Sequence, residues 1–164
     1  ITNALLHLVR AERGTNEDSQ SHSVAKVSQD IIDLHIPLME SRPVDLRLVE
    51  EDRVSVIAPE SVLAVTIGNL VSNGVRYTLE GEVVVTVGKG RVMVEDTGPG
   101  IPEEELARVL DRHYRGEGVQ GKGSGLGLAI VKRLCDLYDW RIHFENRTRG
   151  GLRATVDFFG NHAD

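Results

Sequence analysis

Cysteine is almost absent: Cys135 is the only one in 164 residues, which excludes a disulfide framework and a cysteine-based zinc site. Its place in an apolar helical pattern predicts a small buried hydrophobe. Aromatic residues are scarce, 4% against 40% for all hydrophobic types, so any core must be built mostly from Val, Leu and Ile. No apolar run approaches the length that crosses a bilayer, and no secretory signal is visible, so a soluble, cytosolic domain is expected. Positive charge is not in excess either. The formal net charge of −6 argues against a nucleic-acid surface, which needs a basic face. A site for one anionic ligand remains open, because a metal ion or local arginines override global charge. There is no Met at position 1, and the chain starts inside an apparent helix, so a piece of a longer protein is expected.

What is present suffices for one domain. "ITNALLHLVRAER" reads as a short amphipathic helix, and the polar "GTNEDSQSHS" that follows as a linker. Val24, Val27, Ile31, Leu34 and Leu38 recur at helical spacing, with Pro43 beyond the end. "VDLRLV" and "RVSVIA" alternate as half-buried strands do. "PESVLAVTIGNLVSNGVRYT" reads as a helix opened by Pro59. "EVVVTV" and "RVMVED" flank "GKG" as a hairpin would. Val131, Leu134, Cys135 and Tyr138 mark another core-facing helix, and "RIHFEN" with "LRATVDFF" forms a second hairpin through "RTRGG". This order predicts an α/β (α+β) two-layer sandwich, with a mixed sheet and helices on one face.

Three stretches carry the chemistry. Asn69, Asn73, Arg76 and Tyr77 share one face of the helix opened by Pro59, while Leu63, Ile67, Leu70 and Gly74 line a neighbouring face. Mid-helix asparagines are poor helix formers with spare hydrogen-bonding capacity. An amide oxygen suits magnesium, and an arginine one turn on suits phosphate. A solvated polar face is the bland alternative. In "EDTGPGIPEE", Asp96 ends a β-branched strand, Gly98 and Gly100 free the backbone, and Pro102 could open a short helix over 103–109. Here an ordinary Gly/Pro turn competes with a carboxylate that accepts a hydrogen bond from an amine. In "GEGVQGKGSGLGLAI", Gly116, Gly121 and Lys122 mimic a phosphate loop, but Gly123 stands where that motif needs Ser or Thr. The preceding "DRHYRGEGVQ" is not strand-like, and the glycine spacing is not that of a dinucleotide fingerprint. A glycine loop feeding a helix amino end remains, which favours anions.

Taken together, "NLVSNGVRYT", "VEDTGPGIP" and "GSGLGLAIVKRL" resemble, in order and spacing, the ATP-binding catalytic domain of sensor histidine kinases, a family shared with DNA gyrase, MutL and large ATP-dependent chaperones. "LDRHYRG" resembles the kinase's intermediate box, and the match covers roughly residues 23–159. The resemblance implies a mixed, mostly antiparallel five-stranded sheet on three helices. It implies ATP and Mg²⁺ as cofactors, with Asn73 as magnesium ligand and Asn69 near metal and phosphates. Arg76 would meet the phosphates, Tyr77 would lie over the adenine, and Asp96 would accept from the adenine amino group. Gly98 and Gly100 would shape that pocket, with Ile101 as its apolar wall. Tyr114 would contact the nucleotide, and Arg115 and Lys122 lie where a mobile lid would bring charge to the terminal phosphates. Gly123, Ser124, Gly125 and Gly127 would form the second glycine box, backed by Leu126 and Leu128. The expected organisation is a dimerisation-helix tail over 1–13, a linker over 14–22, the catalytic domain over 23–160 and a disordered tail over 161–164.

The chain departs from the pattern at several places. Gly74 stands where Ala is usual, which costs a helix roughly 1 kcal/mol unless close approach requires it. Leu110 and His113 stand where the intermediate box often has Phe. "YDW" replaces a glycine-rich helix end, so Asp139 would have to adopt the left-handed turn. The lid between Arg115 and Gly123 is short. None of His7, His22, His35, His113, His143 and His162 lies in a phosphoacceptor motif, and His35 is expected to be structural. The resemblance therefore implies an upstream dimerisation and phosphoacceptor domain in a homodimeric parent, a response regulator as partner, and a cell-membrane parent with this domain in the cytoplasm. The fragment itself is expected to be a monomer that does not autophosphorylate. Hydrolytic relatives place a glutamate one turn before the magnesium asparagine. Here Asn69 cannot take a proton, which disfavours an ATPase. A degenerate, non-catalytic nucleotide-binding module is the other alternative.

Overall fold

The computed structural model describes residues 20–39, 41–106 and 125–159, with the backbone course alone at 105 and 125–127. Alternating valines build its centre. Val83, Val85 and Val87 lie on β4 (Gly81–Gly88) and Val92 and Val94 on β5 (Arg91–Asp96), all buried. The two strands join through Lys89 and Gly90, whose φ angles of 56° and 73° are both positive, as a two-residue hairpin turn requires. A second hairpin pairs β6 (Arg141–Asn146) with β7 (Leu152–Asp157), turning through Gly150 and Gly151.

The five-stranded sheet has the order β2-β4-β5-β7-β6, with β2 (Val44–Glu50) parallel to β4 and the other pairs antiparallel. Register aligns apolar side chains in rows across it: Leu48, Val85, Val94, Ala154 and Phe144, then Val87, Val92, Val156 and Ile142. Side chains alternate faces along a strand, so these rows form the helix-facing side. Against it pack α1 (Val24–His35), α2 (Glu60–Tyr77) and α4 (Gly125–Leu137). The mixed five-stranded sheet on three helices is the architecture expected.

On α2, Leu63, Ile67, Leu70 and Gly74 are buried as expected. A Cβ at Gly74 would lie 3.2 Å from Val83 Cγ1, which explains glycine there: helix and strand approach too closely for a side chain to fit without adjustment. On α4, Val131, Leu134 and Cys135 are fully buried, and burial pushes the Cys135 thiol up to about 12. Asp139 takes the left-handed turn, with φ 60°, and Trp140 N–H donates to Cys135 O at 2.8 Å to close the helix end. Trp140 stacks on Tyr138 and meets Phe158 edge-on, so three of the seven aromatics are gathered at one place.

Three expectations need correction. Leu34 and Leu38 are 72% and 77% exposed, and Ile32 and Met39 are buried instead. Pro37 cannot continue an α-helix, so α1 stops at His35 and a 3-10 helix, Ile36–Met39, changes the phase of the pattern. The last residues of the polar stretch read as linker form β1 (Ser21–Ser23), which pairs with β3 (Ser55–Ile57) in a separate two-stranded sheet. "RVSVIA" therefore contributes no strand to the main sheet. His35 is structural: its Nδ1 lies 2.9 Å from Ile31 O, one turn back in its own helix. Residues 1–13, most of the stretch 14–22, the lid and the tail 161–164 lie outside the described residues.

Candidate functional site

Asp96 ends β5 on the helix-facing side, opposite Val83 in register, where the apolar rows would place another valine. It is a carboxylate in a hydrophobic position, 7% exposed. Two backbone amides serve it: Gly98 N–H donates to Oδ1 at 2.9 Å and Leu152 N–H to the same oxygen at 3.3 Å. Burial raises its pKa above the usual carboxylate value, while those two amides and the nearby Arg147 charge pull the other way.

The carboxylate sits in a tight backbone knot. A Cβ on Gly98 would be 2.8 Å from Tyr77 O, 3.1 Å from Asp96 Oδ1 and 3.3 Å from Thr78 Oγ1. Gly74 adjoins it from α2, its would-be Cβ 3.8 Å from Asp96 Cβ. Gly151 is the tightest contact, since a Cβ there would fall 1.8 Å from Asp96 O. Thr78 is fully buried, and its hydroxyl has no hydrogen-bond partner among the described residues.

The end of α2 and the turn after β5 are thus brought together. Tyr77 is half-buried at the helix end, and Arg76 is exposed beside it. Asn73 and Asn69 lie one and two turns earlier, both half-buried. Asn69 Nδ2 donates to Val65 O at 2.7 Å, which spends one of its two amide hydrogens on the helix, and its oxygen has no hydrogen-bond partner among the described residues. Gly100 has φ 77°, and Ile101 packs against the core. Asn146, from the end of β6, clamps Ile101 twice: Ile101 N–H donates to Oδ1 at 2.9 Å, and Nδ2 donates back to Ile101 O. Nδ2 also reaches Glu103 Oε2 at 3.0 Å, at the start of α3 (Glu103–Leu106).

Tyr114, Arg115, Lys122, Gly123 and Ser124 lie outside the described residues. Gly125 opens α4, Leu126 and Gly127 follow in its first turn, and half-buried Leu128 packs on the core. Asn146, Arg147, Thr78 and Gly151 were not foreseen as site residues. "RTRGG" reads as a hairpin turn, and nothing local in it announces contact with a residue some fifty positions earlier. The positive φ of 96° at Gly151 is the one signal that a glycine pair could have carried.

The structure thus places a buried acceptor carboxylate beside an asparagine-bearing helix and glycine turns. Residues 59–160 match the family described as histidine kinase-, DNA gyrase B- and HSP90-like ATPase, and the chain belongs to that family. Its domain type implies ATP binding. Among curated relatives, the chain is similar to sensor protein QseC of Escherichia coli (strain K12), 42% identical over 98 residues, covering 59% of this chain and 22% of that protein. Sensor protein QseC of Salmonella typhimurium (strain LT2) is 33% identical over 162 residues, covering 96% of this chain and 36% of that protein. The chain therefore spans roughly a fifth to a third of these relatives. Among solved structures, full-length ShkA in complex with AMPPNP superposes with TM-score 0.75 at 26% identity, covering 94% of this chain and 34% of ShkA.

Proposed function

We propose that this chain is the catalytic domain of a two-component sensor histidine kinase, whose parent transfers the ATP γ-phosphate to a histidine on an upstream dimerisation domain. The observation that carries the reading is the buried Asp96 carboxylate, held by two backbone amides among apolar neighbours. An acceptor there receives the adenine 6-amino group and faces a carbonyl if guanine enters. An unpaired buried polar group costs about 1–3 kcal/mol, so ATP is selected over GTP.

The donor set fits a nucleotide and magnesium. The Asn73 side-chain oxygen is the proposed ligand for Mg²⁺, which neutralises phosphate charge when bound. Asn69, with one amide hydrogen on Val65 O, offers an oxygen toward metal and phosphates. Arg76 and Tyr77 meet phosphate and adenine, Gly98, Gly100 and Ile101 form the pocket wall, and Tyr114 completes it. Arg115 and Lys122 bring charge to the terminal phosphates. Gly123, Ser124, Gly125 and Gly127, backed by Leu126 and Leu128, present the anion-favouring amino end of α4. With Asn69 where a hydrolase needs a base, water is not activated, whereas a neutral imidazole is already nucleophilic.

The parent is proposed to be a homodimer that passes phosphate to a response regulator, with this domain in the cytoplasm of a membrane-anchored protein. Among the described residues, no helix is long and apolar enough to cross a membrane. Titration calorimetry of the chain with ATP and GTP, with and without magnesium, tests the site. Magnesium-dependent binding with at least a tenfold preference for ATP is expected. Absence of binding returns the chain to the alternative of a degenerate, non-catalytic module. In the parent, Asn73→Asp and Asp96→Ala are each expected to abolish phosphotransfer with the fold retained, and full activity in either variant would remove the site assignment.

A further inference from the structure

We propose that Arg147 is a positioning residue for nucleobase recognition: it grips the main chain of Asp96 and so fixes the carboxylate that reads the adenine amine. This rests on the assignment of Asp96 made above. Pairing between β5 and β7 ends at Glu95 and Arg153, so the Asp96 carbonyl lies beyond the last rung on that side. Arg147 Nη1 donates to it at 2.8 Å. The guanidinium is itself aimed, with its Nε 3.7 Å from Glu95 Oε2. Glu95 takes Arg153 at 2.8 Å, and Arg153 takes Glu145 at 3.2 Å.

An alternating chain of charges thus crosses β6, β7 and β5 on the face away from the helices, and its last link is the Asp96 peptide. Backbone geometry holds the other end of the lever: Arg147 N–H donates to Gly151 O at 2.8 Å and Gly150 N–H to Arg147 O at 3.1 Å. The turn that carries Arg147 also brings Gly151 against the Asp96 carbonyl and the Leu152 amide to its carboxylate. One turn therefore sets both peptide and side chain of the proposed adenine reader. The Arg147 charge also opposes the effect of burial on the Asp96 carboxyl.

The test compares ATP with purine riboside triphosphate, which lacks the 6-amino group, on the 164-residue chain by calorimetry. Wild type is expected to prefer ATP by roughly tenfold. Arg147→Met is expected to lower ATP affinity to that of the analogue and leave the analogue within about twofold of wild type. Arg147→Lys keeps one donor and is expected to restore most of the preference. Glu95→Gln, which keeps the Arg147 donor but loosens its aim, should give an intermediate preference and serves if Arg147→Met does not fold. Retention of the full ATP preference in Arg147→Met and Glu95→Gln overturns the proposal, as does an equal loss for both ligands. A wild type without preference removes the Asp96 assignment and the proposal with it, a result distinct from either.

Discussion

Asp96 shows how one residue can be costly for the fold and useful for a ligand. Burial raises its pKa above the unfolded carboxylate value, so between those two values the native state binds more protons than the unfolded chain. Stability therefore falls as pH rises through that window, and the cost is fully present above the raised native value. Asp96→Asn removes the charge and keeps an oxygen for the Gly98 and Leu152 amides. Its melting temperature is expected to exceed wild type at pH 7, with the gain shrinking on acidification and ATP preference lost. A lower melting point at neutral pH would mean the carboxylate is better served than its two amides suggest. Thr78 is the neighbouring case. Its buried hydroxyl has no partner among the described residues, so Thr78→Val is expected to leave stability unchanged or raise it by about 1 kcal/mol, measured by urea unfolding.

At the scale of elements, what could be read from the sequence followed chain proximity. The two hairpins and the buried faces of α2 and α4 were legible because each signal lies within a few residues. Asp139 at the helix end was legible because glycine was missing from a position that needs the left-handed region. The three-residue strand β1 was not, since that length carries no alternation to recognise, whereas β3 lies inside the alternating "RVSVIA" and only its place outside the main sheet went unread. Leu38 misled because Pro37 ends α1 and the 3-10 helix changes the phase, so Met39 is buried in its place, whereas Leu34 lies within α1, where Ile31 and Ile32 take the buried face. Of the proposed site, Asp96 and the asparagines stood out by residue type, whereas Arg147 and Asn146 act across about fifty positions and gave no local sign. Helix and strand spacing also predicts two glycine responses. At Gly74, a Cβ would press Val83 only slightly, so Gly74→Ala should change stability by less than about 1 kcal/mol, propensity offsetting contact. At Gly151, a Cβ would overlap Asp96 O in a left-handed backbone, so Gly151→Ala should cost about 3 kcal/mol or more. Chemical denaturation of both variants checks the contrast.

At the scale of the molecule, the family relation and the fold agree on an ATP-binding domain that spans a minority of its relatives' length. Such a domain, supplied alone with ATP and magnesium, is expected to bind without labelling itself. Acid-labile label on the purified chain would place a phosphoacceptor histidine within these 164 residues.

The close approach of α2 to β4 has one more consequence, for chemical ageing. It leaves little room for a side chain at position 74, and the glycine found there puts Asn73 in an Asn-Gly pair. In a loose chain that pair deamidates readily, because the unhindered glycine nitrogen attacks the side-chain amide and closes a succinimide. Helical backbone holds that nitrogen away, so the native fold preserves the asparagine. Each excursion to the unfolded state exposes it, and hydrolysis of the succinimide leaves aspartate or isoaspartate at position 73. The useful lifetime of this chain in storage is then set by how often α2 opens, and bound ATP should lengthen it.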